Sequence, residues 1–193
     1  MVGITGHRGF IGSHLINYLD AEPYSGQECD IIIHLAALNR NASDIYGTNM
    51  KLVFDLISSI KGTPHIIFAS SIQEDKSTEF GRSKKDGRRC LATWCKFNKC
   101  KFTGLVIPNV FGPGCKPFYN SVVATFSHQL FHGNNPIIEN DASLKLIYID
   151  DLCKIISWII SEEITSDRYV VNHSFEMKVS DILNLLETFI SYK

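Results

Sequence analysis

The sequence predicts an α/β protein built on a parallel sheet, and three observations carry that prediction. Short apolar runs alternate with helical patterns along the chain, which is the order of βαβ units. The first run, Val2-Gly3-Ile4-Thr5, feeds directly into a glycine-spaced turn, Gly6-His7-Arg8-Gly9-Phe10-Ile11-Gly12. The chain has 193 residues, 45% of them hydrophobic and 20% charged, enough for one domain with a real core and at most a small lobe.

Taken in order, the strands are expected at Val2–Thr5, Asp30–Leu35, His65–Ser70, Thr103–Ile107 and Arg168–Asn172. The helix that opens after the turn carries Ile11, Leu15 and Leu19 on one face. The interval Asp20–Cys29 contains Pro23 and Gly26 and reads as a loop. A dinucleotide-binding fold ordinarily places a whole strand there, so a compacted sheet lacking its second-strand region is expected. In Ile45–Ile60, residues Met50, Val53, Phe54, Ile57 and Ile60 recur at steps of three or four, and Gly62-Thr63-Pro64 stops the helix. Ser121–His132 and Asp151–Ile160 read as helices by the same test. So does Ser180–Ile190, with Ser180 as N-cap and Ile182, Leu183, Leu186 and Phe189 on its core face.

Composition excludes several classes of function. The net charge is −1, and only Lys84, Lys85, Arg88 and Arg89, interrupted by Asp86, come near a basic cluster. A charged helix face is the reading there, not a nucleic-acid or membrane patch. Six cysteines occur without CxxC spacing. Cys90, Cys95 and Cys100 repeat every fifth residue, and each step of five turns a helix by roughly 140°, so they do not share a face for a metal. Reduced thiols in a cytoplasmic protein are expected. No apolar run approaches the ~18 residues of a membrane span, and a chain that enters a glycine turn at once does not read as a signal peptide.

The turn is where chemistry begins. Gly6 permits the tight bend, Gly9 lets backbone approach a phosphate, and Gly12 allows the helix to pack closely on the sheet. The helix N-terminus adds unpaired N–H groups and positive dipole, so a dinucleotide pyrophosphate is the expected ligand.

With its GxxGxxG spacing, this Rossmann-like sequence resembles the extended short-chain dehydrogenase/reductase family. Ile33-His34-Leu35-Ala36-Ala37 looks like that family's strand beside the nicotinamide, and Asn49 sits where the family places an asparagine. Phe68-Ala69-Ser70-Ser71 looks like the strand bearing the active-site serine. Phe80-Gly81-Arg82-Ser83-Lys84 occupies the place of the YxxxK motif. Pro108-Asn109-Val110-Phe111-Gly112-Pro113 matches the segment closing over nicotinamide and substrate. Within the family, Leu38-Asn39-Arg40, Ser70-Ser71-Ile72-Gln73, Cys115-Lys116-Pro117 and Tyr119-Asn120-Ser121-Val122 resemble the reductase part of the CapF/WbjC group. These are reductases of UDP-linked 4-keto-6-deoxy-N-acetylhexosamines in surface-polysaccharide synthesis. The cupin domain some of them carry has no counterpart in this chain, so its epimerase activity is not implied.

The resemblance implies that a tyrosine phenol protonates the carbonyl as hydride arrives, while the lysine four residues later lowers the phenol pKa and binds the nicotinamide ribose. A serine hydrogen-bonds the carbonyl. Four-residue spacing puts tyrosine and lysine on one helical face. Lys84 and Ser71 fit these roles, with Ser70 a second choice for the serine. The tyrosine position holds Phe80, which has no proton to give. Three readings stay open: another donor substitutes (Lys84, Tyr119 or water held by Ser71), the protein is a binding-competent pseudoenzyme, or Phe80 replaces a natural tyrosine to trap a complex.

Cofactor contacts are expected from Gly6, His7, Arg8, Gly9, Phe10, Ile11, Gly12, Leu35, Ala36, Ala37, Asn49, Ala69, Lys84, Pro108, Asn109 and Val110. Substrate contacts are expected from Arg40, Asn109, Lys116, Tyr119 and Asn120. No acidic residue follows a second strand to read the adenosine ribose, whereas Arg8 can face a 2′-phosphate, so NADP(H) is favoured over NAD(H). Asp150 and Asp151 precede a helix and read as N-capping residues rather than an acid–base pair. His34 reads as a satisfied core histidine, and His65, His128, His132 and His173 lack ligand spacing. Trp94 and Trp158 read as core. The expected organisation is a single NAD(P)-binding domain with a substrate lobe drawn from about 112–145 and 173–193, forming a homodimer. The function that follows is NADPH-dependent reduction of the C4 ketone of a UDP-4-keto-6-deoxy-N-acetylhexosamine. A non-catalytic nucleotide-sugar-binding subunit, or a 4,6-dehydratase or epimerase, is the alternative.

Overall fold

The computed structural model describes residues 1–40 and 43–191. They form two compact units, residues 1–40 and 43–107 with 153–171, and residues 108–152 with 172–191.

The first unit is a six-stranded sheet in the order β2-β1-β3-β4-β5-β8. Its strands are β1 (Val2–Thr5), β2 (Glu22–Pro23), β3 (Ile31–His34), β4 (His65–Ser71), β5 (Phe102–Ile107) and β8 (Ser166–Val170), and every pairing is parallel. The helices are α1 (Phe10–Tyr18), α2 (Ile45–Ser59) and α3 (Glu79–Phe97), with a 3₁₀ turn at Ile72–Asp75 between β4 and α3. Residues 65–70 are all buried, because a parallel strand with cover on both faces has no solvent side. Ile32, Val53, Leu56, Ile66, Phe68, Leu91 and Cys95 form one continuous cluster.

The interval expected as a loop contributes two strand residues. Gly3 faces Glu22 and Ile4 faces Pro23, and the Tyr24 N–H donates to the Ile4 carbonyl at 3.0 Å. Pro23 has no N–H to offer another strand, which suits it to the sheet edge.

The second unit holds a three-stranded sheet, β6 (Asn109–Phe111), β7 (Ser143–Tyr148) and β9 (Phe175–Lys178), in that order. None of these was legible as a strand: β6 has three residues, β7 buries only Leu146 and Ile147, and β9 is largely exposed. Its helices α4 (Val122–Phe131) and α6 (Val179–Ser191) pack on each other. The helix α5 (Ile149–Ser161) begins in this unit and ends in the first.

Several helix-level expectations need correction. Ser180 does not cap α6, which begins one residue earlier. Instead the Asp141 carboxylate accepts the Ser180 N–H at 2.8 Å and its hydroxyl at 2.9 Å. Phe189, expected on the core face, is 64% exposed, and Phe54 and Trp158 also face out. Trp94 is half-buried against the core cluster. Asp150 and Asp151 lie inside the first turn of α5, where carboxylates favour the helix dipole, rather than before it. The basic cluster on α3 is not a solvated face: Lys84 and Arg88 are buried, and only Lys85 and Arg89 point outward. Six free thiols are present, and no helix among the described residues is long and apolar enough to cross a membrane.

Candidate functional site

The carboxyl ends of neighbouring parallel strands are where ligands gather in such sheets. Here the register sets Thr5 beside His34 and His34 beside Phe68, so the turn after β1, the segment after β3 and the end of β4 lie together. Gly6 has φ +72°, and a Cβ there would sit 2.7 Å from the Ala36 nitrogen. A Cβ on Gly12 would lie 2.3 Å from the Gly6 carbonyl oxygen. A Cβ on Gly9 would meet only the Gly6 oxygen, at 3.2 Å, so that side of the turn stays open.

Side chains cap α2, α3 and α4: Asp44, Thr78 and Ser121 accept from the amides of Gly47, Gly81 and Ala124. Among the described residues no side chain caps α1, whose N-cap is Gly9. Gly12→Ala is expected to cost about 3 kcal/mol by overpacking against backbone that cannot yield. A urea denaturation midpoint within error of wild type would refute that contact. Around the turn, Arg8 and Ala37 are exposed, while His7, Phe10, Ile11, Leu35 and Ala36 are half-buried. Ala69 is buried within β4, and Arg40 is exposed.

Lys84 is the unusual group. It is 5% exposed, and no carboxylate pairs with it among the described residues. Its ammonium lies 4.7 Å from the Phe68 ring centroid and 6.0 Å from that of Phe80. Burial lowers its pKa to about 8. Phe80 therefore stands as a ring without a hydroxyl beside the lysine. His34 stacks on Phe68 at 5.7 Å and shares a 2.8 Å hydrogen bond with the Thr5 hydroxyl. It is the satisfied core histidine expected, and burial with the Lys84 charge lowers its pKa to about 3.

The two serines separate clearly. The Ser70 hydroxyl is buried and donates to Glu74 at 2.5 Å, so it is spent internally. Ser71 is half-buried, and its hydroxyl caps the 3₁₀ turn by accepting from the Gln73 amide at 3.2 Å. Asn49 is wholly engaged: it accepts from the Leu38 amide at 2.7 Å and donates to the Leu38 carbonyl at 2.8 Å and to Ser83 at 2.9 Å. It shapes the segment after β3, and its amide has no donor to spare for a ligand.

Sequence reasoning missed Glu74, Arg88 and Arg168. Glu74 is 2% exposed. Arg88 grips it with two nitrogens, each at 2.9 Å, and Arg168 adds a third bond at 2.8 Å. Burial pushes its carboxyl pKa up, but hydrogen bonds from Arg88, Ser70 and Arg168 prevail and hold it at about 2. His34 and Glu74 both have folded pKa values below their unfolded ones, so both stabilise the fold less as pH falls. Acidification from pH 6.5 toward 2 is expected to lower stability progressively, first through His34 and below about pH 4.5 also through Glu74. A stability flat across that range in denaturant titrations would contradict both.

In the second unit, Pro108 is buried and Val110 half-buried. Asn109 donates its amide to the Lys145 carbonyl at 3.0 Å, tying β6 to β7. The Lys116 ammonium stands 5.8 Å from the Tyr119 ring centroid, and Asn120 is exposed. A cavity of about 370 Å³ lined by Phe111, Cys115, Pro117, Val123, Ser127 and His128 adjoins this segment in the chain. A larger cavity, about 730 Å³, belongs to the first unit and includes Cys95, Cys100, Phe102 and Ser166, at the amino ends of β5 and β8. It is at the wrong end of the sheet for the glycine turn.

Among solved structures, the chain is similar to the capsular polysaccharide assembling protein CapF from Staphylococcus aureus, at 26% identity with a TM-score of 0.79 over 97% of this chain and 57% of that one. It is also similar in fold to a UDP-N-acetylglucosamine 4-epimerase from Methanobrevibacter ruminantium, at 18% identity and a TM-score of 0.84, covering 98% of this chain and 82% of the other. In sequence it is 26% identical over 211 residues to the UDP-2-acetamido-2,6-beta-L-arabino-hexul-4-ose reductase of Pseudomonas aeruginosa, covering 96% of this chain and 56% of that protein. The chain thus spans little more than half the length of the curated relative and of CapF. Residues 24–172 match the NAD dependent epimerase/dehydratase family, which takes in Ser71, the Phe80–Lys84 motif and Asn109, and the chain belongs to that family.

Proposed function

We propose that this protein reduces the C4 ketone of a UDP-linked 4-keto-6-deoxy-N-acetylhexosamine with NADPH. The observation that carries the reading is the buried Lys84 ammonium, without a carboxylate partner among the described residues, beside Phe80 in the YxxxK position and on the helix that follows Ser71. An unpaired buried cation is costly, and its retention points to a ligand that uses it.

The residues fit a nicotinamide dinucleotide. The open side of Gly9 and the uncapped α1 would receive its phosphates, Lys84 its nicotinamide ribose, and Arg8 a 2′-phosphate. When bound, the reduced nicotinamide supplies hydride to the ketone carbon. Ser71 donates a hydrogen bond to the ketone oxygen. Lys84, with three N–H donors and a pKa of about 8, delivers the proton that a phenol would otherwise give. Arg40, Asn109, Lys116, Tyr119 and Asn120 are the proposed substrate contacts. The similarity to a UDP-hexulose reductase supports the substrate class.

The missing phenol favours a second reading, a nucleotide-sugar-binding protein without turnover. Both are tested by supplying NADPH and the UDP-4-keto sugar and following the loss of nicotinamide absorbance. Oxidation dependent on the sugar is expected. Tight binding of both ligands without oxidation selects the second reading, and failure to bind either ligand rejects both.

A further inference from the structure

Neither the sugar chemistry nor the dinucleotide accounts for the charge buried behind Ser71. Three ionised groups, Glu74, Arg88 and Arg168, meet there: the Glu74 side chain is fully enclosed, Arg88 is buried, and Arg168 reaches in from the surface. Burying charges in this way is weak as a source of stability, because desolvation offsets most of the attraction and apolar residues of like volume serve as well. The elements joined are informative. Glu74 lies in the 3₁₀ turn that Ser71 caps, Arg88 is one helical turn after Lys84 on α3, and Arg168 comes from β8.

Each link is sterically specified. The Arg88 Nη1 donates to the Asp167 carbonyl at 2.7 Å. Gly104 in β5 clears its path, since a Cβ there would lie 2.6 Å from the Arg88 Cδ. Arg168 also reaches Asp75 at 3.1 Å, so both acids of the turn are held. Ser70 points to Glu74, and side chains alternate along a strand. Fixing Ser70 therefore fixes Ser71 toward the opposite side.

We propose that Glu74, clamped by Arg88 and Arg168, is a positioning residue that aims the Ser71 hydroxyl at the substrate carbonyl. This inference rests on the reductase reading above, and the experiment is a double-mutant cycle of Glu74→Gln with Ser71→Ala. Two quantities are read in each variant, the rate of NADPH oxidation and the calorimetric affinity for NADPH. Glu74→Gln alone is expected to lower kcat by about tenfold to a hundredfold, the scale of a misplaced catalytic contact. Its affinity for NADPH, set at the Gly6–Gly12 turn, should stay within about twofold of wild type. In the Ser71→Ala background, Glu74→Gln should cost less than about threefold, because the group it aims is already gone.

Arg168→Gln keeps the two bonds from Arg88 to Glu74, so it provides a milder version of the same perturbation if Glu74→Gln does not fold. It should lower kcat by about threefold and lose that effect in the Ser71→Ala background. Equal losses with and without the Ser71 hydroxyl would overturn the positioning role and leave the reductase reading standing. A wild-type protein that neither binds nor reduces the ketone would defeat the reductase reading, and this inference with it.

Discussion

Phe80→Tyr is expected to raise kcat for ketone reduction by about tenfold to a hundredfold, the low end of a general acid's usual contribution, because the phenol takes over a proton transfer that Lys84 already performs. The ring already stands 6.0 Å from the Lys84 ammonium, and α3 already holds residues 80 and 84 on one face. The substitution therefore adds a hydroxyl to a prepared setting and moves no backbone. A phenol there would be acidified by the neighbouring ammonium, so the new pH–rate profile should gain a limb that the unsubstituted chain lacks. NADPH affinity should change little. Steady-state rates with the UDP-4-keto sugar check this, with KM measured separately from kcat. A kcat unchanged by the hydroxyl would mean that proton transfer is not limiting, or that the ketone oxygen lies elsewhere.

Lys84→Met is expected to stabilise the fold by about 3 kcal/mol at pH 7 while abolishing turnover and weakening cofactor binding. The magnitude follows from a pKa lowered from 10.5 to about 8 by burial. Below pH 8 both states hold the proton, and the folded state bears the full cost of the buried cation. Between pH 8 and 10.5 the unfolded chain binds more protons than the folded one, so wild-type stability rises with pH. The gap between the Lys84→Met variant and wild type should therefore close over that interval, as read by chemical denaturation at several pH values. A variant less stable than wild type at pH 7 would show that an anionic or hydrogen-bonding partner compensates the ammonium. A stability gain joined to a functional loss is what a ligand-directed buried charge produces.

Much of the candidate site was legible as a local pattern, because its signals lie within a few residues of one another. Gly6, Gly9 and Gly12 fall between an apolar strand and a helix, and their contacts involve residues of the same turn apart from the approach of Gly6 to Leu35 and Ala36. Ser71 and Lys84 were assigned from motifs a few residues long; the structure leaves Ser71 half-buried and turns the Ser70 hydroxyl to Glu74. The basic run on α3 was misread because a helix pattern of charges reports spacing and not surroundings. Arg88 is buried only because Glu74 and Asp167 approach from 14 and 79 residues away. Asn49 illustrates the same limit: its chain position matched the family, but its bonds to Leu38 and Ser83 make it a clamp on a segment.

By itself the sequence determined the βαβ order, the glycine turn and the absence of a phenol at position 80, since each depends on residue type and on neighbours within a helical turn or a strand. Tertiary structure alone decided that the lysine ammonium is buried without a carboxylate among the described residues, and that two arginines enclose Glu74. It also decided that two residues, Glu22 and Pro23, complete the sheet edge after α1. Those outcomes depend on which distant groups share a low-dielectric interior, and charge, pKa and pairing are set there by solvent exclusion.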